Sequence, residues 1–153
     1  MRTAPDLIVA WAYFDTSALI KRYVEEPGRR EVLRLLRRHE CVTSAILPLE
    51  IRSALRRRVS EGTLDSGRVP EILKRVAGDR AYWTLVEVAS EVLAAAEILA
   101  TVHPLRALDA VHIASAQVFA SRLTDTALVF VSADGQQTAA AMASGIAVKH
   151  IGS

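Results

Sequence analysis

The sequence predicts an α/β protein, a three-layer α/β/α sandwich built on a mostly parallel central sheet. Short apolar runs rich in β-branched and aromatic residues alternate along the chain with longer segments in which apolar residues recur at helical spacing. No two predicted strands are joined by a short turn of the kind that forms a hairpin. Strands separated by helices are typical of parallel sheets that carry helices on both faces.

The elements of the first third follow from apolar spacing and capping residues. Residues 11–14 form an apolar, aromatic run that predicts a strand, and Thr16 or Ser17 then caps a short helix. Apolar residues recur at helical spacing among the arginines of residues 29–39, which predicts a helix with one buried face. Residues 41–44 predict a short strand that leads into the next helix.

Two helices and a strand are predicted in the middle of the chain. Pro48 suits the first turn of a helix that continues through Arg58. Residues 69–76 predict a short amphipathic helix, which Gly78 and the residue after it close. Residues 82–86 are aromatic and β-branched, and they predict a third strand.

Helices and strands also alternate through the second half of the chain. An alanine-rich helix is followed by a helix of small residues, and two further strands enclose a last alanine-rich helix. The predicted elements are helices at 90–102, 108–116 and 136–143 and strands at 127–131 and 146–150.

Length and composition are those of one folded domain. The chain has 153 residues, of which 51% are apolar and 24% are charged. A chain of this size can bury a core large enough to fold alone, so we expect one domain over residues 1–153. Cys41 is the only cysteine, which excludes an internal disulfide and a cysteine-based zinc cluster. We interpret Cys41 as a buried strand residue and expect a cytoplasmic location.

Four acidic residues stand out because each lies near a strand end or on the apolar face of a helix. Asp15 and Asp134 closely follow predicted strands, whereas Glu50 and Asp109 belong to predicted helices. The carboxyl ends of parallel strands share one edge of the sheet, where open α/β folds place their sites. A buried carboxylate without a partner is costly, so we expect these acids to share a cation.

These motifs together resemble the PIN-domain ribonucleases, and within them the VapC-type toxins of toxin-antitoxin pairs. The resemblance extends from about Ala12 to Ile151, and its segments occur in order along the chain. They are the Asp-Thr-Ser-Ala-Leu sequence at 15–19, Glu50 at the head of an arginine-rich helix, the helix at 108–114, the Ser-Ala-Asp sequence at 132–134 and the strand at 145–148.

The resemblance implies a PIN-like sandwich and a Mg²⁺- or Mn²⁺-dependent endoribonuclease. It also implies a homodimer held inactive by a VapB-type antitoxin, whose tail fills the groove beside the acids. Residues 1–10 precede the first strand of the family, and they are interpreted either as an N-terminal extension or as the product of a misassigned start. The implied site comprises the catalytic and metal-binding acids Asp15, Glu50, Asp109 and Asp134, with Ser17 and Ser132 as substrate-binding residues that orient a carboxylate or a water.

Carboxylate oxygens are the ligands that magnesium and manganese prefer. A divalent ion can hold a scissile phosphate and lower the pKa of an attacking water, so we predict metal-assisted hydrolysis of RNA. Asp15 and Asp109 are the predicted direct ligands, while Glu50 and Asp134 are expected to act through water. His112 lies one helical turn after Asp109, and we interpret it as a packing or supporting residue rather than a ligand.

Basic residues are concentrated in the first half of the chain. Residues 1–80 carry 16 basic and 11 acidic side chains, whereas residues 81–153 carry 3 and 6. Most of the cations are arginines, whose planar guanidinium pairs with phosphate through two parallel hydrogen bonds. We therefore expect RNA to lie along a face built from the first three helices; the alternative is that these arginines form solvated outer faces. Arg52 and Arg56, which share the helix of Glu50, are the candidate substrate contacts.

Other functions fit the residues less well. A phosphatase of the haloacid dehalogenase type needs a second aspartate two positions after Asp15, where this chain has Ser17. A phosphate-binding loop needs a glycine-rich turn after the first strand, and no glycine precedes Gly28. Two alternatives stay open: a PIN-domain nuclease that processes RNA without an antitoxin, and a noncatalytic PIN-like interaction module.

Overall fold

Five parallel strands form the centre of the computed structural model, which describes residues 9–124 and 126–152. The strands are β1 (Trp11–Phe14), β2 (Glu40–Ser44), β3 (Thr84–Val86), β4 (Leu128–Ser132) and β5 (Ala147–His150). Their order across the sheet is β3-β2-β1-β4-β5, and every neighbouring pair is parallel. The predicted α/β fold with a parallel sheet is confirmed.

Seven α-helices connect and cover these strands in the described part of the chain. They are α1 (Thr16–Leu19), α2 (Arg29–Arg38), α3 (Leu47–Ser60), α4 (Val69–Arg80), α5 (Ser90–Val102), α6 (Ala107–Ser121) and α7 (Gly135–Ala143). Short 3₁₀ turns at Ile20–Arg22 and Ser66–Arg68 follow α1 and precede α4.

The two faces of the sheet bury separate apolar cores. Successive side chains of a strand point to opposite faces, so Ala12 and Phe14 of β1 pack with buried residues of α1 to α4. Tyr13 between them packs with buried residues of α5, α6 and α7. Tyr13 also stacks on Phe130 of β4, with the two ring centroids 5.4 Å apart. Helices therefore cover both faces, as the three-layer prediction requires.

The strand order creates a crevice beside β1. The chain winds from β1 through β2 to β3 on one side and from β4 to β5 on the other. Ligands of open α/β sheets bind where the order reverses in this way, outside the carboxyl ends of the strands. Asp15 directly follows β1 and Asp134 lies two residues after β4, so both acids belong to this crevice.

Three details of the predicted elements are wrong. The cap of α1 is Asp15 rather than Thr16 or Ser17, because its own carboxylate accepts a hydrogen bond from the Ala18 N–H. Helix α4 does not close at Gly78 but continues to Arg80. The backbone N–H groups of residues 82 and 83 then bond back to the last turn of α4, so β3 begins only at Thr84 and not at residue 82.

The proposed N-terminal extension, residues 1–10, falls mostly outside the described residues, which begin at Val9. None of the helices in the described ranges is long and apolar enough to cross a membrane. Cys41 is buried in β2, as predicted.

Candidate active site

A cleft with a volume of about 560 Å³ opens at the carboxyl edge of the sheet. All four acids singled out from the sequence line it, although they lie as much as 119 positions apart along the chain. Two exposed leucines, Leu49 and Leu108, also line the cleft beside Glu50 and Asp109. The strand ends and the helices α3 and α6 therefore bring the predicted acids to one place.

Asp15 is the most deeply buried of these acids, with 2% of its surface exposed. Its Oδ1 caps α1 by accepting from the Ala18 N–H at 3.0 Å. The Ser17 hydroxyl donates to both carboxylate oxygens, and the Ser132 hydroxyl donates to Oδ2 at 2.6 Å. Burial raises the pKa of Asp15, and these hydrogen bonds offset only part of that effect. No lysine or arginine within the described ranges forms an ion pair with this carboxylate.

The two predicted serines join β1 to β4 through Asp15. Besides donating to that carboxylate, the Ser17 hydroxyl accepts from the Ala133 N–H at 2.9 Å. The Ser132 hydroxyl likewise accepts from the Asp134 N–H at 3.0 Å. Because each hydroxyl has a single hydrogen to donate, both serines are committed to orienting Asp15.

Glu50 is held by a chain of buried side chains that begins in the sheet. His112 Nε2 lies 2.5 Å from Glu50 Oε1, and the Thr16 hydroxyl donates to the same oxygen at 2.8 Å. A carboxylate can only accept, so Nε2 carries the proton in this bond. We assign the neutral ring, whose Nδ1 then accepts from the Tyr13 hydroxyl at 2.8 Å. Among the described residues no side chain bonds to Glu50 Oε2, which is left for a ligand in the cleft.

The remaining two acids of the cleft, Asp109 and Asp134, lie in the first turn of α6 and at the cap of α7. Asp134 caps α7, because its Oδ1 accepts from the Gln137 N–H at 3.0 Å. The side-chain amide of Gln137 donates to the Asp109 carbonyl at 3.3 Å and so joins α7 to α6. Asp109 Oδ2 accepts from Arg106 Nε at 3.1 Å, and the Arg106 side chain is 78% exposed. Asp109 is therefore paired with a cation that water surrounds.

The structure places the predicted arginines elsewhere. Arg52 and Arg56 are exposed and do not line the cleft. At 100° per residue they lie about 200° and 240° around α3 from Glu50, so they face away from it. Arg57 lines the cleft because it lies two turns beyond Glu50 on the same face. Lys21, Arg58 and Arg106 complete the set of basic side chains along the cleft.

The residues around the acids differ in how far the sequence could have revealed them. Thr16 follows Asp15 directly, and Arg106 lies one helical turn before Asp109, so their spacing was a usable signal. Tyr13 is an ordinary strand residue in the sequence, and only the packing of β1 against α6 brings its hydroxyl to His112. Gln137 likewise reaches Asp109 only through the tertiary fold.

The acids have the oxygen ligands that a hard divalent cation prefers, but they do not form a complete coordination site in the described residues. Within residues 9–124 and 126–152, no three His, Cys, Asp or Glu side chains are gathered closely enough to hold a metal ion. Magnesium needs less than that, because it binds through one or two carboxylates and keeps several waters. The buried carboxylate of Asp15, with a raised pKa and no ion-pair partner in the described chain, is the observation that fits a cation.

Comparison with known proteins finds a matching family model and solved structures of similar fold. The family model described as PIN domain matches residues 12–141. A structure described as a toxin-antitoxin complex from Klebsiella pneumoniae is similar, with a TM-score of 0.59 and 17% identity over 84% of this chain and 90% of that chain. The crystal structure of FitAcB from Neisseria gonorrhoeae has a TM-score of 0.60 and 18% identity over 90% of this chain and 95% of that chain. No curated protein matches the sequence significantly. At these identities the two structures demonstrate a shared fold.

Proposed function

The chain belongs to the PIN domain family, and from that premise we propose that it is a metal-dependent endoribonuclease acting as the toxin of a toxin-antitoxin pair. The observation that carries the proposal is the convergence of four acids on one cleft at the switch point of the sheet. A cluster of carboxylates with a buried, unpaired member is suited to divalent metal and phosphate rather than to a neutral ligand.

The acids would divide the work of hydrolysis. Asp15 and Asp109 would hold the divalent ion directly, and Glu50 and Asp134 would act on it through water. Such an ion, when bound, neutralises charge on the scissile phosphate and lowers the pKa of the attacking water. Glu50 would accept the proton of that water at Oε2, since Oε1 is already held by Thr16 and His112.

The serines and the basic residues would have supporting parts. Ser17 and Ser132 keep the Asp15 carboxylate in one orientation, which supports a role in positioning rather than in substrate contact. Arg106 pairs with Asp109 and is mostly exposed, so it can turn toward a phosphate when a cation takes its place. The predicted substrate contacts Arg52 and Arg56 face away from the cleft, so this proposal gives them no part in binding the RNA.

The toxin assignment is supported by the fold shared with a protein solved as a toxin-antitoxin complex. An antitoxin segment with a basic side chain would find the acids accessible in the cleft and two exposed leucines, Leu49 and Leu108, beside them. A homodimer and a cytoplasmic location belong to the same proposal, and the single buried thiol of Cys41 suits a reducing compartment.

The proposal is tested by incubating total RNA with purified protein in magnesium, manganese or EDTA. We expect cleavage with metal only, and a loss of at least about 100-fold in Asp109→Asn, because the loss of a residue that merely supports a metal ligand already costs about 10- to 100-fold. Asp109 is partly exposed, so this substitution removes a charge without disturbing the core. Asp65→Asn, an exposed acid outside the cleft, is the matched control. Equal cleavage by Asp109→Asn, or cleavage that persists in EDTA, would contradict the proposal.

The toxin role has a separate test. Induced expression of the protein should arrest growth, and Asp109→Asn should abolish the arrest. Coexpression of the product of a neighbouring small reading frame should restore growth if that product is the antitoxin. RNA cleavage without any growth arrest would favour a nuclease of RNA processing over a toxin.

A further inference from the structure

Helix α3 carries an acid and a cation on the face that lines the cleft. Glu50 lies in its first turn, and Arg57 lies seven residues later, which is two helical turns and about 10.5 Å along the axis. Both side chains line the cleft, as does Ser53 between them. A polymer lying along this face would meet the acids at one end and a guanidinium at the other.

A second basic residue reaches the same end of the cleft from the 3₁₀ turn after α1. Lys21 is buried, with 9% of its side chain exposed, and its Nζ lies 3.4 Å from Glu26 Oε2. Glu26 is also bound by Arg58, which uses two of its guanidinium nitrogens for that carboxylate and a third for the Ala54 carbonyl. Burial opposes ionisation of Glu26, but Arg58 and Lys21 outweigh it and hold its pKa below the ordinary value.

One carboxylate therefore serves two cations, which leaves an excess of positive charge at this end of the cleft. Arg58 is committed to structure, because its hydrogen bonds fasten the loop at Glu26 to α3. Lys21 has one long ion pair and keeps further ammonium hydrogens for a ligand. Arg57 is exposed, and no acidic side chain of the described chain pairs with it. We call Lys21, Arg57 and Arg58 the basic wall.

We propose that the basic wall is a phosphate subsite, at which Arg57 and Lys21 bind a backbone phosphate of the RNA strand some distance from the bond that is cut. This inference rests on the proposed function and extends it by giving the RNA strand a path, which runs along α3 between Glu50 and Arg57. Contacts to phosphate carry no base information, so the subsite would position the strand without choosing its sequence.

Arg57→Gln tests the subsite, and Arg56→Gln is its matched control. The two arginines are adjacent, exposed and without an ion pair in the described chain, but only Arg57 lines the cleft. Binding of a fluorescent single-stranded RNA of mixed sequence is measured in EDTA by anisotropy at several salt concentrations, so that the readout does not depend on cleavage.

We expect Arg57→Gln to weaken binding roughly fivefold, equally for RNAs of different sequence. The slope of log affinity against log salt should fall in magnitude by about 0.7, the value for one phosphate contact on a single strand. In the presence of magnesium the same variant should raise KM while kcat stays unchanged. Arg56→Gln should leave the salt slope and KM as they are.

Equal effects of the two substitutions would overturn the inference, because they would mean that only the general positive field matters. An unchanged salt slope in Arg57→Gln would overturn it as well. Neither result bears on whether the acids cleave RNA. Conversely, a wild-type protein that does not cleave RNA but whose binding depends on Arg57 would refute the nuclease and leave the subsite standing.

Discussion

Replacing Asp15 with asparagine should stabilise the folded protein in the absence of divalent metal. The carboxylate is buried without an ion pair among the described residues, and burial raises its pKa. Ionised Asp15 therefore costs stability at neutral pH. Asparagine has nearly the same shape, so its oxygen can keep the cap on the Ala18 N–H, while its amide donates to the hydroxyls of Ser17 and Ser132.

The expected gain in the free energy of unfolding is the difference between two effects of the substitution. One buried charge is removed, and the hydroxyls of the two serines must reverse their hydrogen bonds, which costs about 1 kcal/mol. We expect a net gain of about 1 kcal/mol, within the range for substitutions that relieve a destabilised functional site. In a chain of about 150 residues this corresponds to a rise in Tm of about 2–4 °C.

Magnesium should reverse the order of stability. A ligand that binds only the folded state at 100 times its Kd adds about 2.7 kcal/mol, which exceeds the expected gain from asparagine. Wild type should therefore be the more stable protein in magnesium and the less stable one in EDTA. Lowering the pH should remove the difference in EDTA, because below about pH 4 the unfolded carboxyl is also protonated and the penalty for charge disappears.

Thermal unfolding followed by circular dichroism measures these shifts, with Asp65→Asn as the control. Asp65 also caps a short helix but is exposed, so its substitution should leave Tm within about 1 °C in both buffers. A Tm of Asp15→Asn that lies below wild type in EDTA would refute the reasoning, since it would mean that the charge of Asp15 is compensated. A magnesium response that survives in Asp15→Asn would refute its part as a metal ligand.

Three further predictions concern the surroundings of the acids. Tyr13→Phe removes the donor to His112 Nδ1, so we expect a destabilisation of about 1 kcal/mol by chemical denaturation and a lower kcat at unchanged KM. Arg106→Ala removes an exposed partner of Asp109, so the free energy of unfolding should change by at most about 0.5 kcal/mol. A magnesium titration followed by Tm should show that the variant binds magnesium more tightly than wild type. Burial opposes ionisation of Asp79, but hydrogen bonds from its arginine and tyrosine partners outweigh it and lower the pKa of Asp79. The resulting stabilisation is present above about pH 4 and is lost as the pH falls further. We therefore expect the Tm of Asp79→Asn to decline less steeply in acid than that of wild type.

The sequence was sufficient to predict the order of the strands along the chain and the meeting of the four acids at one edge of the sheet, because both depend on local patterns. Apolar runs predicted the five strands, and the rule that sites lie at carboxyl ends of strands pointed to Asp15 and Asp134. The order of the strands across the sheet required tertiary packing, which the local pattern does not contain. The same is true of the contact between Tyr13 and His112, whose positions lie 99 residues apart.

The predicted basic contacts lie outside the cleft for a geometric reason. Arg52 and Arg56 share a helix with Glu50, but sharing a helix does not mean sharing a face. Arg57 shares the face of Glu50 instead, because a spacing of seven residues is almost two full helical turns. The early end predicted for α4 failed because a glycine alone does not stop a helix when the next residue, Asp79, is bound by Arg22 and Tyr23.

The origin of the oxygen at the cleaved bond tests the central claim most directly. An end-labelled RNA is incubated with the protein and magnesium in water enriched in ¹⁸O, and the masses of the products are measured by mass spectrometry. Hydrolysis by a water activated among the four acids predicts one ¹⁸O in a terminal phosphate at the new end and no cyclic phosphate. A 2′,3′-cyclic phosphate without ¹⁸O, or no cleavage at all, would contradict the account.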